Sequence, residues 1–195
     1  MVKILAAADL HGSYDIANKL SKKAKENSVD LIVLAGDING MKEGAGGIID
    51  VFLKENQKVL FIPGNWDSTK EHDILKNKAK SIHNYYVTHD GVAFAGIGSS
   101  DMKFSLDEDD FYEIKKQFLK MKSGRRVLVS HLHARGTKAE FSGVLGDDVL
   151  RRAIDEFNPD LLISAHIHEG EGIEEMIGNT KVVQVGRRGT IIEIL

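Results

Sequence analysis

Short apolar runs alternate with amphipathic stretches in the first third of the chain. Runs bounded by turn residues predict buried strands at Val2–Ala8, Leu31–Ala35 and Val59–Ile62. Between them, apolar positions at helical spacing predict helices over Tyr14–Glu26 and Gly44–Glu55. This βαβαβ order implies a parallel sheet with right-handed crossovers.

The rest of the chain mixes hairpin signals with further helices. Asp90-Gly91 lies between the apolar runs Tyr85–His89 and Val92–Ile97, which predicts a hairpin and therefore antiparallel strands. The other predicted strands are Val127–Ser130, Leu161–Ala165 and a terminal meander of Ile173–Ile177, Lys181–Val185 and Thr190–Leu195. The other predicted helices are Leu106–Met121, Asp147–Phe157 and a short one that starts at the capping box Ser68 to Glu71. We expect a single domain over residues 1–195 with an α/β fold, in which a two-sheet β-sandwich is flanked by helices in four α/β/β/α layers.

Composition excludes several classes of function. The net charge of −3 gives no electrostatic reason for tight binding of long nucleic acids or of a membrane surface. The absence of cysteine excludes disulfides and thiolate metal sites and is typical of a reducing compartment. No apolar run approaches the ~18 residues of a membrane span, and the chain starts with a strand that lacks signal-peptide features. We therefore expect a cytoplasmic protein.

Residues that bind divalent metals follow several of the predicted strands. They are Asp9, His11, Asp37, Asn65, His131, His166 and His168. Because α/β proteins carry their chemistry at the carboxyl ends of strands, we expect these side chains to converge on one rim of a sheet. Carboxylate and imidazole ligands suit divalent ions such as Mn, Fe, Zn, Ni or Co. An aspartate such as Asp37 can bridge two ions, which clamp the oxygens of a phosphoryl displacement.

Each of these elements has a simpler explanation when it is taken alone. Asp-x-His and His-x-His occur by chance in many chains, Asp37 could cap a helix, and Asn65 could be a turn residue. The joint pattern is stronger, because all the elements occur in order, each after a predicted strand and beside small residues.

The motifs resemble those of the calcineurin-like metallophosphoesterases, which read Asp-x-His, Gly-Asp, Gly-Asn-His, a histidine after a strand, and Gly-His-x-His. The resemblance covers essentially residues 2–195, and the segments 97–100, 166–170 and 177–180 look like the small prokaryotic Icc-related group. It implies a dinuclear centre whose metal-bridging hydroxide attacks phosphorus, with manganese favoured and Fe, Ni, Zn, Co or Mg as alternatives. It implies a first ion held by Asp9, His11, Asp37 and His168, and a second held by Asp37, Asn65, His131 and His166.

Departures from the family pattern point to residues beyond the metal ligands. The family's Gly-Asn-His is Gly64-Asn65-Trp66 here, which resembles members that act on phosphodiesters. Trp66 could stack on a substrate ring or simply pack. His133 is an additional imidazole that could act as a general acid or have a structural role. Arg135 and the Arg187-Arg188 pair could bind substrate phosphate or be solvated surface residues.

The sequence therefore predicts a metal-dependent phosphoesterase that hydrolyses a small or nucleotide-type phosphodiester, with Asp37, Asn65, His131 and His133 in catalysis. The alternatives are a phosphomonoesterase or nucleotidase, and a non-catalytic binding scaffold with this fold; the sequence is compatible with a homo-oligomer. The glycine-rich segment Gly44 to Gly47 lacks the Gly-Lys-Ser/Thr ending of a phosphate loop and is predicted to be a flexible entry to its helix, with a lid as a further option.

Overall fold

The computed structural model describes residues 1–40, 47–122 and 124–195. The strands are β1 (Val2–Ala7), β2 (Leu31–Ala35), β3 (Val59–Ile62), β4 (Lys80–Ser81), β5 (Tyr85–His89), β6 (Val92–Ile97), β7 (Arg125–Ser130), β8 (Leu161–Ser164), β9 (Glu174–Ile177), β10 (Thr180–Gln184) and β11 (Thr190–Ile194). The helices are α1 (Tyr14–Glu26), α2 (Gly47–Leu53), α3 (Thr69–Leu75), α4 (Glu108–Lys120) and α5 (Asp148–Phe157), and short 3₁₀ helices cover Lys138–Ser142 and His168–Gly170.

The strands form two mixed sheets. The first has the order β11-β1-β2-β3-β4, in which β1 to β4 are parallel and β11 is antiparallel. The second has the order β5-β6-β7-β8-β10-β9, in which the four inner strands are parallel and both edge strands are antiparallel. The prediction of a two-sheet fold with added antiparallel strands is confirmed.

Three apolar clusters separate four layers of secondary structure. One cluster lies between the sheets and includes Ile4, Val33 and Phe94. Another packs α1, α2 and α3 on the outer face of the first sheet, and the third packs α4 and α5 on the outer face of the second. The central strands are buried on both faces, which is why they read as continuous apolar runs rather than as alternating ones. The α/β/β/α prediction is confirmed.

The capping signals in the sequence place several helix starts. The predicted capping box of α3 forms, since Ser68 accepts from the Glu71 amide and Glu71 accepts from the Ser68 amide. Asp107 is the N-cap of α4, which begins at Glu108 rather than at the predicted Leu106. Asp147 is the N-cap of α5, which begins one residue after the predicted start. The predicted helix at Gly44–Glu55 is observed at Gly47–Leu53, and its first three predicted residues lie outside the described residues.

The predicted terminal meander is wrong at its last strand. β9 and β10 pair as a hairpin, but β11 crosses to the first sheet and pairs antiparallel with β1. Alternating apolar residues show that a segment is a strand, but they do not select its partner. The carboxyl ends of β1 to β3 belong to the first sheet and those of β7 and β8 to the second, so the prediction of a rim on a single sheet is also wrong. In the described part of the chain, no helix is long and apolar enough to cross a membrane.

A buried histidine of α3 gives the fold a specific response to acid. His72 is 4% exposed, its Nε2 lies 2.8 Å from Ser81 Oγ, and its ring packs edge-on against Phe61 and His83. Burial lowers the pKa of His72 from 6.5 to about 4, and the charge of His83 acts in the same direction. The folded protein therefore resists protonation of this ring, which the unfolded chain accepts at its ordinary pKa.

We expect His72→Gln to flatten the acid dependence of stability. In the wild type, the contribution of a neutral His72 is fully present above pH 6.5 and is lost as the pH falls toward 4. At ~1.4 kcal/mol per pKa unit, this loss amounts to about 3 kcal/mol by pH 4, whereas a glutamine at position 72 does not titrate. The measurement is the free energy of unfolding in urea between pH 7 and 4 for both proteins. Parallel curves over that range would show that another group causes the acid loss.

Candidate metal centre

The loop after β1 lies directly on the loop after β2. The Asp9 amide donates to Gly36 O at 3.1 Å, and the His11 amide donates to Asp37 O at 2.9 Å. The two loops thus form a short ladder beyond the ends of their strands. This ladder fixes the relative positions of the Asp-x-His and Gly-Asp motifs.

Several candidate ligands have a left-handed backbone. The φ angles are 58° at Asp9, 45° at His11, 52° at Asp37 and 72° at His166. Non-glycine residues rarely adopt this region, and each costs of order 1 kcal/mol unless the surroundings impose it. Such residues concentrate at functional sites, because the conformation directs a side chain where a regular strand end would not.

Glycines allow the strand ends to approach one another. A Cβ on Gly36, whose φ is +94°, would lie 2.6 Å from His131 Nδ1, and one on Gly64 would overlap the backbone nitrogen of Asp37. Both approaches are closer than any tolerated contact, so any larger residue would push the loops apart. The Gly-Asp and Gly-Asn motifs therefore need glycine at these positions to bring their polar residues together.

The described residues contain two groups whose ligand atoms lie within 4.8 Å of one another. One consists of Asp9, His11 and His168, and the other consists of Asp9, Asp37 and His131. Asp9 belongs to both, so the two groups form one continuous site at the meeting point of the two sheets. The structure thereby brings together most of the predicted ligand set.

Asp37 stands between two of the histidines. Its Oδ2 lies 3.4 Å from His131 Nε2 and 3.7 Å from His11 Nε2, while its Oδ1 accepts from the Trp66 amide at 2.9 Å. Although burial alone would raise it, the pKa of Asp37 is lowered by the contact with His131 and by the Trp66 amide. One oxygen is thus fixed by the backbone, and the other faces both imidazoles.

Asp9 shows that the site suits cations. It is 1% exposed, and neither of its carboxylate oxygens has a hydrogen-bond partner within the described part of the protein. Burial raises its pKa, and the nearby histidines His131 and His168 only partly oppose this effect. A buried carboxylate without hydrogen bonds is costly, and coordination of a metal ion is one way to offset that cost. The mixed aspartate, histidine and asparagine set fits divalent ions on the same chemical grounds.

His131 is held in one tautomer by the backbone. Its Nδ1–H donates to Ala35 O at 2.8 Å, which directs Nε2 toward Asn65 Oδ1 at 2.9 Å and toward Asp37. Burial alone would lower its pKa, but the contact with Asp37 and the charge of Asp9 raise it to about 9. Without metal, a proton on Nε2 would satisfy the surrounding oxygens; a metal ion replaces that proton.

His166 lies beside this group without joining it. Its ring centre is 5.2 Å from that of His131 and 6.2 Å from that of Phe104. Burial lowers its pKa to about 4, and the positive charge of His131 acts in the same direction. The ring is therefore neutral near pH 7, the form in which histidine binds metal.

Asp67 ties two ligand loops together, a role that the sequence did not reveal. Its carboxylate accepts from the amides of Ile38, Asn39 and Gly64 at 3.2, 2.9 and 2.9 Å. These donors follow Asp37 on one loop and precede Asn65 on the other. Burial raises the pKa of Asp67 to about 6, and the amide hydrogen bonds oppose this shift. The sequence predicts only that Asp67 orders the turn after Asn65, and the capping pattern that follows it gives no sign of the wider contact.

The remaining predicted residues occupy different surroundings. Trp66 is half-exposed, with its ring edge-on to His11 at 6.2 Å. Arg187 is exposed, and its Nε donates to Asp9 O at 2.8 Å, beside the site. Arg135 instead pairs with Asp148 at 2.9 Å and lies 3.9 Å from Glu140. His133 is buried; its Nε2–H donates to Val144 O at 3.2 Å, and burial lowers its pKa.

Comparison with known proteins points to a single family. The family model described as calcineurin-like phosphoesterase matches residues 2–170. MJ1162 of Methanocaldococcus jannaschii, described as an uncharacterized protein, is 29% identical, with 93% of this chain and 87% of that protein covered. The fold is similar to that of TT1561 of Thermus thermophilus, with a TM-score of 0.77, 18% identity, and 96% and 90% of the two chains covered. It is also similar to that of a protein described as a novel archaeal phosphodiesterase, with a TM-score of 0.54, 16% identity and coverage of 95% and 84%.

We expect Asp67→Asn to weaken metal uptake as well as the fold. An asparagine offers one acceptor oxygen and turns an NH₂ group toward backbone amides, which leaves buried N–H groups unpaired at a cost of ~1–3 kcal/mol. The displaced loops carry Asp37 and Asn65, so metal affinity should fall about 10–100-fold, as it does when groups that support ligands are removed. The measurements are urea unfolding and competition with a chromophoric chelator.

Ser68→Ala is the matched control for this variant. Ser68 caps α3 through the Glu71 amide, and its loss should cost ~1 kcal/mol of stability while metal affinity is kept. Equal metal affinities in the two variants would contradict the positioning role of Asp67.

Proposed function

The chain belongs to the calcineurin-like phosphoesterase family, and on that premise we propose that it is a phosphodiesterase with a dinuclear metal centre and a small substrate. The family implies metal-dependent hydrolysis of a phosphoester bond. The observation that carries the proposal for this chain is the buried carboxylate of Asp9, which accepts no hydrogen bond in the described part of the chain. It lies among His11, the Asp37–His131 pair and His168, whose Nε2 is 3.5 Å from Asp9 Oδ1. Such a carboxylate costs stability until cations bind, so the fold maintains a site whose purpose is to hold them.

Two ions divide this ligand set in the proposal. Asp9, His11, Asp37 and His168 would hold the first ion, and Asp37, Asn65, His131 and His166 would hold the second. When bound, a pair of divalent ions polarises the phosphoryl group and supplies a nucleophile at neutral pH. Manganese suits the oxygen and imidazole donors, as do the other first-row divalent ions.

The protein's own groups set the geometry of the reaction. The carbonyl of Ala35 holds His131 in the tautomer whose Nε2 faces the site, and the amide of Trp66 fixes one oxygen of Asp37. Arg187 is the better placed of the predicted arginines to bind a phosphate oxygen. Its Nε is anchored to Asp9 O, and it pairs with no carboxylate in the described part of the chain, whereas Arg135 pairs with Asp148.

Trp66 favours a diester over a monoester. It stands where many family members have a histidine, and its ring lies beside His11. A monoester dianion carries one more negative charge than a diester, and an indole offers it neither a positive charge nor a proton at that position.

The buried, neutral ring of His133 has its Nε2–H engaged with Val144 O, so its predicted role as a general acid has less support than a structural one.

We expect the purified protein with Mn²⁺ to hydrolyse bis(p-nitrophenyl) phosphate with a higher kcat/KM than p-nitrophenyl phosphate. Asp37→Asn should abolish both activities and lower the bound metal to one ion or none, because a neutral amide bridges two cations poorly. Trp66→His should shift the ratio toward the monoester. The measurements are initial rates and metal content by mass spectrometry. Near-normal turnover by Asp37→Asn with two bound ions would exclude the bridging role, and a wild-type ratio well below one would exclude the diester preference.

Neighbouring arginines provide a matched test of phosphate binding. Arg187→Ala should lower kcat/KM about 10–100-fold, the loss expected for one charge-assisted contact to the reacting group. Arg188→Ala should have little effect, because Arg188 contacts Glu171 through its guanidinium and its amide. Bound metal should remain unchanged in both variants. Equal rates for the two alanine variants would remove Arg187 from the site.

A further inference from the structure

An apolar cleft opens beside the metal centre. It has a volume of about 300 Å³, and Phe104, Leu106, Leu132, Val144 and Leu145 line it together with His166. Phe104 is 55% exposed and Leu145 is 68% exposed. His166 connects the cleft to the centre, because its ring lies between those of Phe104 and His131. Clustered apolar side chains that remain open to solvent at a site mark a surface that binds something.

Hydrogen bonds hold the walls of the cleft in place. Asp147 accepts from the Leu106 amide at 2.8 Å, donates its own amide to His133 O at 2.8 Å, and caps α5 through the Leu150 amide at 2.9 Å. It thereby joins the segment that carries Phe104 to the segment that follows β7. A Cβ on Gly146 would overlap the carbonyl oxygen of Ala134, so glycine is required for the close approach that positions Leu145. The cleft is therefore formed before a ligand arrives.

The charges around the cleft do not favour the binding of a phosphate or another anionic group there. Arg135, the cation in its wall, binds both carboxylate oxygens of Asp148 at 2.9 and 3.1 Å and also lies near Glu140. Asp147 adds a further carboxylate. An anionic group would meet this acidic surface, whereas an uncharged apolar group would cover the exposed rings and side chains and exclude water from them.

We propose that this cleft binds an uncharged apolar group, either an alkyl chain or an aromatic ring, that is attached to the phosphorus of the substrate through an ester oxygen. The inference rests on the proposed function, which places the phosphorus at the metal centre. The apolar group then lies in the cleft beyond His166. Phe104 and Leu145 are then residues that determine specificity. The substrate class is a phosphodiester of an apolar alcohol.

The test uses phosphodiesters that share p-nitrophenolate as leaving group and differ in the other ester: methyl, butyl, hexyl and phenyl. With a constant leaving group, kcat/KM should rise about fourfold for each methylene that the cleft buries. Phe104→Ala and Leu145→Asp should bring the hexyl-to-methyl ratio of kcat/KM toward one. Leu119→Asp is the matched control, because Leu119 is 76% exposed on α4, outside the cleft, and this variant should keep the wild-type ratio.

A second experiment measures, by calorimetry, the binding of methyl-, hexyl- and phenylphosphonate to the metal-loaded protein. Because it does not depend on hydrolysis, it tests the cleft separately from the proposed phosphodiesterase activity. Tighter binding of the hexyl or the phenyl compound supports the cleft and shows which group it prefers, even if no diester is hydrolysed. Equal binding and equal rates throughout the series would overturn the inference while leaving the phosphodiesterase proposal in place. A preference that survives in both Phe104→Ala and Leu145→Asp would also overturn it, because the apolar group would then bind elsewhere, such as beside Trp66.

Discussion

The buried carboxylate of Asp9 is the constraint on which the rest of the site depends. An ionised group without hydrogen bonds in a protein interior is costly, and here its closest polar neighbours are the side chains of His11, Asp37, His131 and His168. The positive charge that would stabilise it therefore comes from a protonated His131 or from bound cations. The raised pKa of His131 indicates the first state, and metal binding replaces it by the second. A scaffold protein that had lost its metals would gain stability by replacing Asp9, so its presence favours a working centre.

The ends of strands from both sheets have to meet for this cluster to exist. The ladder between the loops after β1 and β2, the close approach at Gly36 and Gly64, and the carboxylate of Asp67 all bring these loops together. The left-handed backbone at Asp9, His11 and Asp37 has a free-energy cost. The apolar cluster between the sheets and the helices on their outer faces supply the stability that offsets it. Packing far from the site thus maintains its geometry.

Much of this arrangement follows from local features of the sequence, and the rest depends on distant contacts. The βαβαβ order, the Asp90-Gly91 hairpin and the capping box at Ser68 are local patterns, and the structure has all of them. The pairing of β11 with β1 could not be derived, because an alternating strand fits several sheet edges equally well. The role of Asp67 and the wall formed by Leu145 also escaped prediction, because each depends on backbone groups from remote parts of the chain. The candidate metal ligands are recognisable in the sequence because they follow predicted strands, and the number of motifs outweighs the weakness of each one.

The metal centre and the cleft share His166, but the exposed side chains of the cleft lie on other parts of the fold than the candidate ligands, which has consequences for specificity. The candidate ligands follow strands whose positions are fixed by the apolar layers, and a change there disturbs the ions. Phe104 and Leu145 instead lie on connecting segments that are held by Asp147 and by the glycine at position 146. Exposed side chains on such segments can change with little effect on stability, because they contribute little to the packed layers. In the proposed arrangement, substitutions at Phe104 and Leu145 would alter which apolar group is accepted, while the ions and their ligands would continue to act on the same phosphoester bond.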